Sequence, residues 1–207
     1  MGRSDRETAE RNRAKVVEMA ARLFRQHGVG SVSIADVMTA AGLTQGGFYR
    51  HFDSKDALSA EACSLAFSAT EETWQKFDGH SASRRDAASE LAAYYLTPKP
   101  AERACPMVSF NQEATVNKEN RSLGRSYAEG VGKLFDMFAS ATGSDPDDVE
   151  ARRRNLVLFA SLVGANVLSR ALGKDDLVDE LKSSVLDNVA SPAARRNGRS
   201  AVKAKKY

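Results

Sequence analysis

Cysteine, histidine, tryptophan and proline are all scarce in this 207-residue chain, and each scarcity excludes something. Two cysteines, Cys63 and Cys105, are too few for a disulfide framework and have no metal-ligand partner at useful spacing. His27, His51 and His80 stand singly, so no metal site is expected and no cofactor is implied. No Ser/His/Asp, Cys/His or phosphate-loop spacing occurs, which argues against an enzyme and leaves no catalytic residue to name. No run of about 18 uninterrupted apolar residues is present, and Met-Gly-Arg-Ser-Asp-Arg-Glu has no apolar stretch behind it, so a cytoplasmic protein without a membrane partner is expected.

The charge present is unevenly spread. Residues 1–55 hold nine Lys/Arg against six Asp/Glu, and residues 191–207 hold six Lys/Arg and no acid. The whole chain has a net charge of only +3, so an acidic middle of net −6 lies between two basic ends. A basic end beside an outward-facing polar helix favours a polyanion as partner. The tail 191–207 reads as flexible, either merely solvated or adding non-specific attraction to DNA.

Periodicity predicts helices throughout. Thr8 to His27 carries Val17, Ala20, Ala21 and Phe24 at helical spacing, residues 1–7 read as disordered, and Gly28 ends the helix. Ser33 caps a second helix, with Asp36 three residues on and Ile34, Val37, Met38 and Ala41 on its apolar side. After Gly42, Leu43 to Lys55 reads as a short helix capped by Thr44, its apolar side limited to Leu43, Phe48 and Phe52. That leaves Gln45, Gly46, Gly47, Tyr49, Arg50 and His51 facing outward. Two adjacent glycines in a helix cost about 2 kcal/mol relative to alanine, so a body that must approach closely is expected there.

Three short helices with a Gly turn between the second and third describe a helix-turn-helix module. Its third helix would lie in the major groove, with Thr44 and Gln45 toward base edges and Gly46 and Gly47 giving clearance. Tyr49, His51 and Lys55 would hold phosphates, Arg50 counts among the outward-facing DNA-binding candidates, and Ser33 offers the same chemistry from the start of the second helix.

The run from Ser33 to Leu58 resembles the DNA-binding head of the tetracycline-repressor (TetR/AcrR) family. The resemblance rests on the Ala-Gly turn, the glycine before the aromatic pair, Tyr49-Arg50-His51-Phe52 and Ser54-Lys55. It departs at Gln45, where that family often has a basic residue, and at Gly47. It implies a ligand-responsive repressor, a homodimer bound to a palindromic double-stranded DNA operator and released by a small-molecule effector.

The remainder is expected to be a larger helical regulatory and dimerisation domain, giving an all-α fold: a DNA-binding head at 1–53, a ligand-binding and dimerisation domain at 54–190, and the tail. Helices are expected over Ser54–Asp78, Arg84–Leu96, about Arg121–Ala141 and Asp175–Val189, with a loop at Gly79-His80-Ser81. Another is expected after an Asp145 cap with Pro146 in its first turn. Its stretch Leu156–Leu172 is apolar almost all round, so a second subunit is expected to cover part of it.

By the same resemblance, Phe67, Trp74, Tyr95, Met107, Phe110 and Tyr127 sit on helices that enclose the effector, with Asn111, Gln112 or Glu113 as polar contacts. Cys63 reads as inert core. Cys105, near a helix start and Arg103, is an alternative sensor, which would make the protein a thiol-based redox or electrophile-sensing repressor. A non-catalytic helical interaction protein is the alternative of another class.

Overall fold

The computed structural model describes residues 3–78, 84–116 and 121–190. The expected loop at 79–81 and the basic tail lie outside the described residues. Among the described residues the fold is all-α. The chain divides into two compact units, Met1–Gln75 with Pro98–Leu134, and Lys76–Thr97 with Phe135–Tyr207.

The first unit begins with α1, Arg3–His27, and α2, Ile34–Ala40. A short 3-10 turn, Gln45–Arg50, and the long α3, Lys55–Asp78, follow. Helix α1 starts five residues before Thr8, contrary to the expected disorder, and an Arg6–Glu10 pair one turn apart supports this end. Gly28, at φ +82°, stops α1 in a left-handed conformation that a side chain would disfavour. Val16, Ala20 and Phe24 are fully buried, as are Phe48, Leu58, Ala62 and Cys63. After Pro98 and Pro100 come a 3-10 turn, Ala101–Arg103, then α5, Pro106–Ser109, and α6, Asn111–Val116. The first part of α7, Arg121–Ala141, completes the unit. There the Phe67 ring lies against Gly130 so closely that a Cβ would overlap it.

The second unit is built on α4, Arg84–Leu96, α8, Val149–Leu172, and α9, Asp176–Ala190, which pack on one another. Phe159 of α8 meets Phe135 edge-on at 5.6 Å and lies 5.9 Å from Phe138, forming the aromatic part of its core. The cap of α8 is Asp148, whose Oδ1 accepts from the amides of Glu150 and Ala151. Asp145 instead accepts from the Asp147 amide in the preceding turn, so Pro146 lies before the helix. Three acids within four positions, Asp145, Asp147 and Asp148, competed for the cap, and sequence spacing alone favoured the wrong one.

Helix α8 is long and apolar enough by composition to cross a membrane. Its Arg152, Arg153 and Arg154, the buried Asn155 bonded to Thr142, and its packing against α4 and α9 fit a helix of a globular unit that is buried along one side instead.

Candidate nucleic-acid interface

Gly42, at φ +69°, turns the chain out of α2, and the Leu43 amide closes the turn on the Met38 carbonyl at 2.9 Å. The expected third α-helix is a 3-10 turn, and Thr44, although extended at its N-cap position, makes no side-chain cap bond. Backbone bonds Gly47 to Thr44 and His51 to Phe48 tighten it to a three-residue period. With two glycines and six residues, little helix propensity opposes the tighter winding.

Two rings anchor this turn. Phe48 is fully buried and stacks on Phe52 at 5.5 Å with an interplanar angle of 28°. Tyr49 abuts Phe48 edge-on at 5.2 Å yet is 72% exposed. Thr44, Gln45, Gly46, Tyr49 and Arg50 are exposed, while Gly47 and His51 are half-buried. Nothing lies within 4 Å of where a Gly46 Cβ would sit, so no packing within the chain calls for glycine there.

A residue the sequence did not single out braces the anchor. The Arg13 guanidinium lies 4.7 Å over the Phe52 ring and also pairs with Glu61 of α3. The run Glu61, Arg13, Phe52, Phe48, Tyr49 thus connects α3 and α1 to the exposed turn. No periodicity marks Arg13, because its partners lie far along the chain.

Ser33 forms the full capping box: its hydroxyl accepts from the Asp36 amide at 3.1 Å and donates to Asp36 Oδ2 at 2.7 Å. Asp36 Oδ2 also accepts from the Ser33 amide at 2.8 Å, and these Ser33 bonds hold the Asp36 carboxyl below its usual range. Ser54 Oγ accepts from the Ala57 amide at 3.0 Å at the start of α3. Lys55 is half-buried, and its ammonium donates to the Val29 carbonyl at 2.6 Å. This bond uses one of its three donors inside the protein.

Of the expected effector contacts, Phe67 and Met107 both meet Tyr127. Phe67 and Tyr127 meet edge-on at 5.8 Å, and the Tyr127 hydroxyl donates to the Met107 carbonyl at 2.7 Å. Burial, with Cys105 nearby, pushes the Tyr127 phenol up to about 12. Phe110 is fully buried edge-on against Phe24 at 6.4 Å. Trp74 is buried in α3. Tyr95 belongs to the second unit, where its carbonyl accepts from Asn166. Asn111 and Gln112 are exposed, whereas Glu113 Oε1 accepts from the Gly30 amide at 3.1 Å. Cys63 is buried, and burial pushes its thiol up to about 12. Cys105 is half-buried at the N-terminus of α5.

An all-α chain with a buried Phe48/Phe52 anchor under an exposed polar turn defines a helix-turn-helix protein. Residues 16–62 match the family described as bacterial regulatory proteins, tetR family. Over 66 residues the chain is 38% identical to the transcriptional regulator AcrR of Shigella flexneri, covering 32% of this chain and 31% of that one. Over 49 residues it is 37% identical to the transcriptional repressor KstR2 of Rhodococcus jostii, 24% of each chain. These matches span a third or less of the length of those relatives. The fold of a TetR transcriptional regulator from Chloroflexus aurantiacus superposes with a TM-score of 0.73 at 24% identity, over 89% of this chain and 97% of that one. Residues 16–62 thus carry the N-terminal domain of the tetR family of bacterial regulatory proteins.

Proposed function

We propose that the chain is a cytoplasmic, DNA-binding transcriptional repressor that acts as a homodimer and is released from a palindromic operator by a small-molecule effector. The observation that carries this reading is the Thr44–Arg50 turn, which exposes Thr44, Gln45, Tyr49 and Arg50 above a buried pair of stacked rings. A major groove accepts such an element, with Thr44 and Gln45 at base edges and Gly46 and Gly47 allowing close approach. Tyr49, Arg50 and His51 hold phosphates beside it. Lys55 has two donors left for the same purpose, whereas the Ser33 amide and hydroxyl both donate to Asp36.

Leu156, Val157, Val167, Leu168 and Leu172 of α8 and Leu177 of α9 are large apolar side chains left exposed in the single chain. A second copy would cover them and form a four-helix interface. Two heads would then meet half-sites one helical turn apart, about 34–36 Å, or a multiple of it. An effector held near Phe67, Met107 and Tyr127 would favour a dimer geometry whose heads no longer match that spacing. The name of KstR2 supports repression, and no enzyme chemistry is called for.

Paired substitutions test the division of labour. Tyr49→Phe removes a phosphate contact and lowers affinity for all DNA sequences alike, by about fivefold. Gln45→Ala changes which sequences are preferred. Equal loss on every sequence for Gln45→Ala contradicts base reading by this turn.

A further inference from the structure

The Gly28–Gly30 elbow between α1 and α2 is held from two sides. Glu113 of α6 reaches it from 83 positions along the chain, and its Oε1 accepts from the Gly30 amide at 3.1 Å. The same oxygen lies 3.7 Å from where a Gly28 Cβ would sit, so the carboxylate occupies the inside of the bend. On Val29, the residue between, Lys55 donates to the carbonyl at 2.6 Å. Lys55 is the first residue of α3, soon after the exposed turn, so the elbow bonds both the Glu113 segment and the reading region. Phe110 against Phe24, and the Ala101–Arg103 turn packed along α1, dock the C-terminal end of α1 onto the same stretch.

Glu113 is an expensive residue to place there. Its second oxygen, Oε2, is buried and has no hydrogen-bond partner among the described residues. An unpartnered buried carboxylate oxygen offsets much of what the Gly30 bond contributes, so stability alone is a poor reason for the contact. A directional bond donated by one backbone amide to a carboxyl oxygen does fix orientation.

We propose that Glu113 is a positioning residue for DNA binding: by holding the Gly30 amide it sets the direction of the α1–α2 elbow, and so of the reading turn, relative to the segment around residues 101–116. This rests on the DNA-binding reading above. It reassigns Glu113 from effector contact to support of the elbow.

The test uses the full chain with Glu113→Ala and Glu113→Gln, the latter keeping an acceptor oxygen. Hydrogen exchange across residues 28–33, measured without DNA, rises about tenfold in the alanine variant and stays near wild type in the glutamine variant. On a palindromic duplex recovered by selection from random DNA, Glu113→Ala loses about tenfold in affinity and Glu113→Gln recovers it. Binding to a duplex with a single half-site is unchanged in both, because one head can reorient freely. Equal losses on half-site and palindrome, or wild-type palindrome affinity in Glu113→Ala, overturn the proposal. Should the wild type enrich no sequence, the DNA-binding reading fails and the positioning role fails with it. The exchange measurement still decides separately whether Glu113 holds the elbow.

Discussion

Gly46 occupies a position where an alanine would meet nothing in the chain itself and where no positive φ is required. Its replacement therefore separates folding from binding. Gly46→Ala is expected to stabilise the protein by about 0.5–1 kcal/mol, because alanine loses less backbone entropy, while DNA affinity falls as the methyl enters the groove contact. Thermal melts and DNA titrations of the same preparation read both effects. Higher stability with unchanged affinity removes the clearance argument for this glycine.

Asp36 supplies a pH signature at the same scale. Its carboxyl is held below the ordinary carboxylate range, mainly by the Ser33 hydroxyl and then by the Ser33 amide. A depressed folded value means that the carboxylate's contribution is fully present above the unfolded value and is lost as pH falls through the folded one. The melting difference between wild type and Asp36→Ala should be constant near neutrality and should disappear only below the ordinary carboxylate range. A difference that fades well above that range contradicts the capping box as its source.

Among the elements, those with local signatures were legible. The α2 cap, α3 to Asp78 and α4 at Arg84–Leu96 follow from apolar spacing and from Ser, Gly and Pro as punctuation. Phe48 and Phe52 could be read as anchors because i, i+4 spacing puts them on one side. The 3-10 winding could not, since the glycines leave that choice to tertiary packing. Lys55 on Val29, Arg13 on Phe52 and Glu113 on Gly30 were invisible for another reason: each joins residues distant in sequence, and periodicity records only neighbours.

Helices α8 and α9 carry the dimer prediction. Val157 is 66% exposed and Leu168 43% exposed, so a charge at either is tolerated by the isolated chain. Val157→Glu with Leu168→Glu is expected to yield a folded monomer in sedimentation, with its helical signal retained. A dimer of wild-type stability in that variant places the interface elsewhere.

At the scale of the whole molecule, an exposed reading turn, a core that fixes it and an uncovered apolar helix face all suit a two-headed DNA-binding protein. On the proposed function the basic N-terminal region would add a sequence-independent attraction, so affinity should fall steeply with salt at every duplex. The most direct measurement is selection of bound sequences from random duplex DNA by the wild-type protein at low salt. The predicted result is one palindromic motif, its half-sites a whole number of helical turns apart, with enrichment diminished or redirected by Gln45→Ala. Recovery of no motif, or of the same motif at the same strength from Gln45→Ala, would contradict reading of DNA by this turn.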